Sequence, residues 1–168
     1  NIINISFSFG DGLGIAASSL VGQSLGSKRP DVAIIYAKVG QRFAFTISVA
    51  LFILFTAGNT FFVSLFSNDP QIIEMGRPLM IIIAFVTLGQ ITTVLLSGCL
   101  RGAGDTVYTA VVSFVSIGIL RPFVSWLLCI PLGLGLVGAW IGLAVDQVCR
   151  LVLVVLRFAS NKWTKIEL

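Results

Sequence analysis

Five apolar stretches, each long enough to cross a lipid bilayer as a helix, divide this chain of 168 residues. About 20 mostly apolar residues, at about 1.5 Å per residue, span the hydrocarbon core of a membrane. The stretches cover residues 1–25, 43–67, 79–100, 107–130 and 135–158. They predict an all-α integral membrane protein with five transmembrane helices. The first stretch is the least apolar, being rich in Gly and Ser. With 57% hydrophobic residues and a mean hydropathy of +1.02, the chain has too much apolar surface for a water-soluble domain of this size.

The connections carry the orientation. Of eleven Lys and Arg residues, eight fall at one side: Lys28, Arg29, Lys38, Arg42, Arg101, Arg157, Lys162 and Lys165. The opposite side receives Arg77, while Arg121 and Arg150 lie within spans. Short basic loops resist translocation, so the eight-residue side is expected to be cytoplasmic, with the C-terminus there, in a multi-pass protein of the cell membrane. The net charge of +4 follows this topology and forms no continuous basic face, which argues against nucleic acid as a partner. An odd number of spans entering from outside predicts that earlier spans precede this segment, making it a C-terminal fragment.

Missing residue types exclude chemistry. The chain has no His, which removes His-based acid–base catalysis, His metal sites and any Ser–His pair, so an enzyme is not expected. Cys99, Cys129 and Cys149 stand singly, without the paired spacing of a redox or zinc site, and read as small packing residues. No cofactor is implied. Gly102-Ala103-Gly104-Asp105-Thr106 lacks the Lys of a phosphate loop and reads as a tight turn with Asp105 capping the next helix.

The remaining connections are short. Val32 to Arg42 reads as a helix running into the second span, with Lys38 and Arg42 reaching the inner interface. Ser67-Asn68-Asp69-Pro70 places Asp69 at an N-cap and Pro70 at the first position of a short surface helix ending near Met75. Residues 131–135 make an uncharged outer turn. In the first span, Gly10, Gly14, Ser18, Gly22 and Gly26 recur every fourth residue, a stripe that lets helix backbones approach closely in lipid. Gly138 and Gly142 begin a similar stripe in the fifth span, and Asp146 and Arg150 continue the series, so these charges should point into protein.

Counting inward from the outer span ends places Asp146, Gln90, Arg121 and Asp11 at one depth, about 15 Å in and near the midplane. A charge there costs about 2.5–3.5 kcal/mol on insertion scales and is usually paired, wetted or functional. Each has a structural alternative. Asp146 and Arg150, one turn apart, can form an intrahelical lock. Arg121 can serve carbonyls near Pro122, whose missing N–H frees the Gly118 carbonyl. Asp11 can cap an outer helix end, and Gln90 can bond another helix. Asp11, Gln90, Arg121, Asp146 and Arg150 are therefore the candidates for a substrate or ion cavity, or for a structural lock.

Gly14-Ile15-Ala16-Ala17-Ser18-Ser19-Leu20-Val21-Gly22-Gln23-Ser24-Leu25-Gly26 resembles the eighth helix of multidrug and toxic compound extrusion (MATE) transporters of the NorM and DinF type. Leu65-Phe66-Ser67-Asn68-Asp69-Pro70, Leu100 to Thr106, Arg121-Pro122, Gly138-Ala139-Trp140-Ile141-Gly142 and Asp146 with Arg150 extend the resemblance, as do Arg157-Phe158 and Lys162-Trp163. It implies helices 8 to 12, most of the C-terminal lobe, of a twelve-helix, two-lobe transporter whose N-terminal lobe is the missing partner. It also implies efflux of amphipathic, drug-like, cationic compounds in exchange for Na⁺ or H⁺. Some family members use an acid in helix 10, where this chain has Thr87, Gln90, Thr92 and Thr93. Two other readings are a lipid-linked sugar flippase of the same superfamily, which a basic cavity would favour, and a non-transporting membrane scaffold or remnant.

Overall fold

The computed structural model describes residues 2–64, 70–131, 133, 135–160 and 163. The chain folds into helices α1 (Ile2–Gly26), α2 (Pro30–Ala57), α3 (Asn59–Ser64), α4 (Pro70–Gly102), α5 (Thr106–Ser113), α6 (Arg121–Cys129) and α7 (Gly135–Ala159). A π-helical segment, Phe114–Leu120, joins α5 to α6 without a break. Among the described residues, four helical stretches are long and apolar enough to cross a membrane: Pro30–Ala57, Leu79–Gly102, Thr106–Cys129 and Gly135–Ala159. With 25 residues α1 has the length too, but carries more Gly, Ser and Asn.

Helix α4 is the axis of the bundle, packing against α1, α2, α3, α5 and α7. Lipid offers apolar side chains as good an environment as the interior does, so close fit rather than hydrophobicity must hold the helices together. Small residues supply that fit. A Cβ added at Gly98 would land on the Gly14 carbonyl, and one at Gly102 on the Ser18 carbonyl. The α1 stripe therefore meets a second stripe on α4, although Gly26, at the end of the series, has nothing within 4 Å. Between α6 and α7 a Cβ at Gly138 would stand 3.0 Å from the Leu128 carbonyl carbon, and one at Gly142 would collide with Ser125. Large apolar side chains such as Phe45, Phe85, Phe114 and Phe123 point outward.

Helices α1 and α4 end in the same cap. Arg29 N–H bonds the Ser24 carbonyl and Lys28 N–H that of Leu25; likewise Asp105 N–H bonds Leu100 and Gly104 N–H bonds Arg101. These are Schellman motifs, whose turning residue is left-handed. That residue is Gly104 (φ 83°) after α4, but Lys28 (φ 56°) after α1.

Three expectations need correction. The second span stops at Ala57 rather than at residue 67, because the chain turns at Gly58, where a Cβ would sit 2.9 Å from the Leu54 carbonyl oxygen and 3.0 Å from the Phe62 ring. The separate surface helix from Pro70 does not end near Met75. It is the first part of α4, which runs 33 residues through Pro78; neighbouring groups in a membrane bundle can satisfy the carbonyl that a proline frees. Asp105 makes no side-chain capping bond. The expected N-cap at Asp69 lies outside the described residues, as do Lys162 and Lys165.

Candidate functional site

The site begins with α7. Gly138, Gly142 and Asp146 are all buried, so the face read from their four-residue spacing does point inward. Asp146 is 2% exposed and its Oδ2 lies 3.5 Å from Arg150 Nη2, one turn on. The same Arg150 nitrogen donates to Gln147 Oε1 at 2.7 Å. A second guanidinium, Arg121, lies on the α6 turn that faces Asp146. The register explains this, since α6 and α7 are antiparallel with Ser125 opposite Gly142, and one further turn brings Arg121 towards Asp146.

The π segment sits where this register requires it. In an α-helix the Pro122 ring would clash with the Gly118 carbonyl four residues earlier. Here the turn is wider, and Arg121 N–H bonds the Ser116 carbonyl, five residues back. Ser116 is 1% exposed and faces the interior. Gln90, on α4, is also 1% exposed. Its neighbour Gly89 approaches Leu151 of α7, where a Cβ would stand 3.2 Å from Leu151 Cδ2. Gln90, Ser116, Asp146, Gln147 and Arg150 are buried or partly buried polar residues of this region, a polar node spread over α4, the π segment and α7, with α7 packing against the other two.

A cleft of about 430 Å³ lies beside the node. Phe7 and Asp11 of α1 form one wall, α5 forms the other through Thr106, Thr109 and Ser113, and the floor is α4 through Thr93, Ser97 and Arg101. Arg150 reaches it from α7. Gly10 approaches Val94, where a Cβ would stand 3.5 Å from Val94 Cβ, which sets Asp11 beside the α4 turn that follows Gln90. The structure therefore brings Asp11 and Arg150 to one cleft, while Gln90 and Asp146 are buried and do not line it. Arg121 is not among the residues that line the cleft. Two guanidiniums and one carboxylate line it, together with five hydroxyls.

The sequence reading missed Ser116, Gln147 and the hydroxyl row of α5. A signal was present: Thr106, Thr109, Ser113 and Ser116 recur at helical spacing along an otherwise apolar span. It also missed the partner of Asp105, which accepts a bond from Arg157 Nε at 2.7 Å. No local rule links residues 52 positions apart.

The sequence profile of the MatE family matches residues 1–127. The probable multidrug resistance protein NorM of Thermotoga maritima is 32% identical over 168 residues, covering 98% of this chain and 36% of its own length. The uncharacterized transporter YisQ of Bacillus subtilis is 30% identical over 166 residues, again 97% of this chain against 36% of the relative. The fold of this chain superposes on the crystal structure of the eukaryotic MATE transporter AtDTX14 with a TM-score of 0.87, at 21% identity over 98% of this chain and 38% of that one. The chain thus spans little more than a third of these proteins. On the match of its first 127 residues and of its whole length to these relatives, the chain belongs to the MatE family, whose members are membrane transporters rather than enzymes.

Proposed function

We propose that this chain forms most of the C-terminal lobe of a two-lobe secondary active transporter, which exports amphipathic, cationic compounds in exchange for Na⁺ or H⁺. Alternating access would come from the two lobes rocking about a midplane cavity, of which this chain supplies one wall. The observation that carries the reading is the arrangement around α4. Asp11 stands in a cleft large enough for part of a drug-sized molecule, at the depth of a buried polar node that includes Gln90, Asp146 and Arg150. An intramembrane carboxylate facing such a cleft attracts a cationic group, and the apolar side chains Phe7 and Val94 suit the rest of an amphipathic molecule.

One observation favours the alternative of a flippase for lipid-linked sugars: Arg101 and Arg150 outnumber Asp11 in the cleft lining. The two readings separate in the full-length protein reconstituted into liposomes. Efflux of ethidium driven by an imposed Na⁺ or H⁺ gradient, slowed by Asp11→Asn, supports the antiporter. Movement of a polyprenyl-phosphate sugar across the bilayer without ethidium transport supports the flippase. Neither activity would sink both and leave a scaffold. The basic end of the bundle is assigned to the cytoplasm, so Cys replacing Gly133 should react with an impermeant reagent in intact cells, and Cys replacing Lys28 should not.

A further inference from the structure

Six buried side-chain atoms have no protein partner among the described residues, and all six belong to the polar node. They are both amide atoms of Gln90, Ser116 Oγ, Asp146 Oδ1, Gln147 Nε2 and Arg150 Nε. Several other hydroxyls in the bundle are satisfied locally. Ser24, Ser48 and Thr93 each donate to the carbonyl four residues earlier. Ser116 does not.

The chemistry of the six atoms identifies what completes them. Gln90 Nε2, Gln147 Nε2 and Arg150 Nε donate; Gln90 Oε1 and Asp146 Oδ1 accept; the Ser116 hydroxyl does either. A metal cation would engage only the acceptors and would be repelled by the guanidiniums of Arg121 and Arg150. An anion would engage only the donors and would be repelled by Asp146. Water donates two bonds and accepts two, and buried water characteristically joins about three otherwise unsatisfied polar groups.

A route for that water is visible. Arg150 belongs to both features, its Nε in the node and its side chain in the cleft lining. From Ser116 the hydroxyls of Ser113, Thr109 and Thr106 descend one wall of the cleft, and Ser97 and Arg101 descend its floor, to the basic end of the bundle. We infer that this cleft is an aqueous inlet ending in ordered water held by Gln90, Ser116 and Asp146. The midplane ion pair is then hydrated from the basic end, through the lobe itself, whatever the transported compound is.

Two measurements on the purified full-length protein test this. The first uses Ser113→Cys and Ser116→Cys in a background without Cys99, Cys129 and Cys149, with a background retaining Cys99, which is fully buried among apolar residues, as control. Methanethiosulfonate ethylammonium should modify positions 113 and 116 at least tenfold faster than Cys99. Rates at position 116 equal to the Cys99 control overturn the inlet. The second uses Gln90→Met. In a dry node it removes two stranded polar atoms and raises the melting temperature; in a hydrated node it strips water of its partners and lowers it. A rise overturns the inference, and if that variant does not fold, the rate at position 116 decides.

Discussion

Arg157 Nε donates to Asp105 Oδ2 at 2.7 Å, joining the last turns of α7 to the turn that closes α4. The guanidinium also lies over the Tyr108 ring, 4.8 Å from its centroid, and the Tyr108 hydroxyl donates to the Leu153 carbonyl of α7 at 3.0 Å. Beyond this clamp Trp163 is fully buried, stacked on Phe158 at 5.0 Å with its indole N–H on the Phe158 carbonyl. The basic end is therefore tied across three helices, so α4, α5 and α7 are held as one body there.

Because the clamp depends on both charge and ring stacking, Arg157→Lys should fall between wild type and Arg157→Gln in melting temperature. Asp105→Asn should lower it as well, and Asp105→Asn with Arg157→Gln should cost less than the two single losses added. Thermal unfolding of the detergent-extracted full-length protein checks the series. Strict additivity would mean that the two side chains are not coupled.

The glycine seam between α1 and α4 makes a contrasting pair. Gly98→Ala places a methyl group on the Gly14 carbonyl and should destabilise by about 1–3 kcal/mol, the usual cost of overpacking. Gly12, on the same α1 helix, has nothing within 4 Å, and Gly12→Ala should be neutral or slightly stabilising. Equal effects in a chemical-unfolding or melting assay would remove the seam from the account.

The two Schellman caps predict opposite signs for opposite substitutions. Lys28 adopts a left-handed conformation that costs an L-residue about 1–2 kcal/mol, so Lys28→Gly should stabilise by about 1 kcal/mol. Gly104→Ala should destabilise by about as much. Melting curves of both variants beside wild type are sufficient.

What was legible in the sequence were features set by bilayer physics acting on local patterns. The presence of membrane-length apolar helices, the Gly14-to-Gly22 stripe and the inward face of Gly138, Gly142 and Asp146 all follow from thickness and periodicity. The short surface helix expected from Pro70 is instead the start of α4, because the continuity of that helix is fixed by packing across the whole bundle rather than by local turn chemistry. Asp105 precedes a helix and so reads as a cap, but its side chain is drawn away by Arg157, which no local pattern brings near. For the candidate site, counting residues placed Asp11, Gln90, Arg121 and Asp146 at one depth, yet it could not say which of them share a cleft. That depends on the angular placement of α1, α5 and α7 around α4, which only the packed structure supplies.

Asp146 gives the most discriminating prediction because it answers to two arginines. A lock made only with Arg150 would be released by Asp146→Asn together with Arg150→Gln. Arg121 lies on the α6 turn opposite Asp146, so that double variant still leaves a guanidinium near a neutral amide. Removing one member of a buried ion pair costs about 3–5 kcal/mol. Asp146→Asn should therefore lower stability by about that much, and the double variant should recover only part of it. Arg150→Gln alone should be milder, since Arg121 remains and Arg150 is 19% exposed towards the cleft. Adding Arg121→Gln to the double variant should restore folding. If the three charges are structural, gradient-driven transport by the full-length triple variant returns with the melting temperature. A stable but transport-dead triple variant would instead assign Asp146 to ion coupling, and full recovery by the double variant would remove Arg121 from the lock.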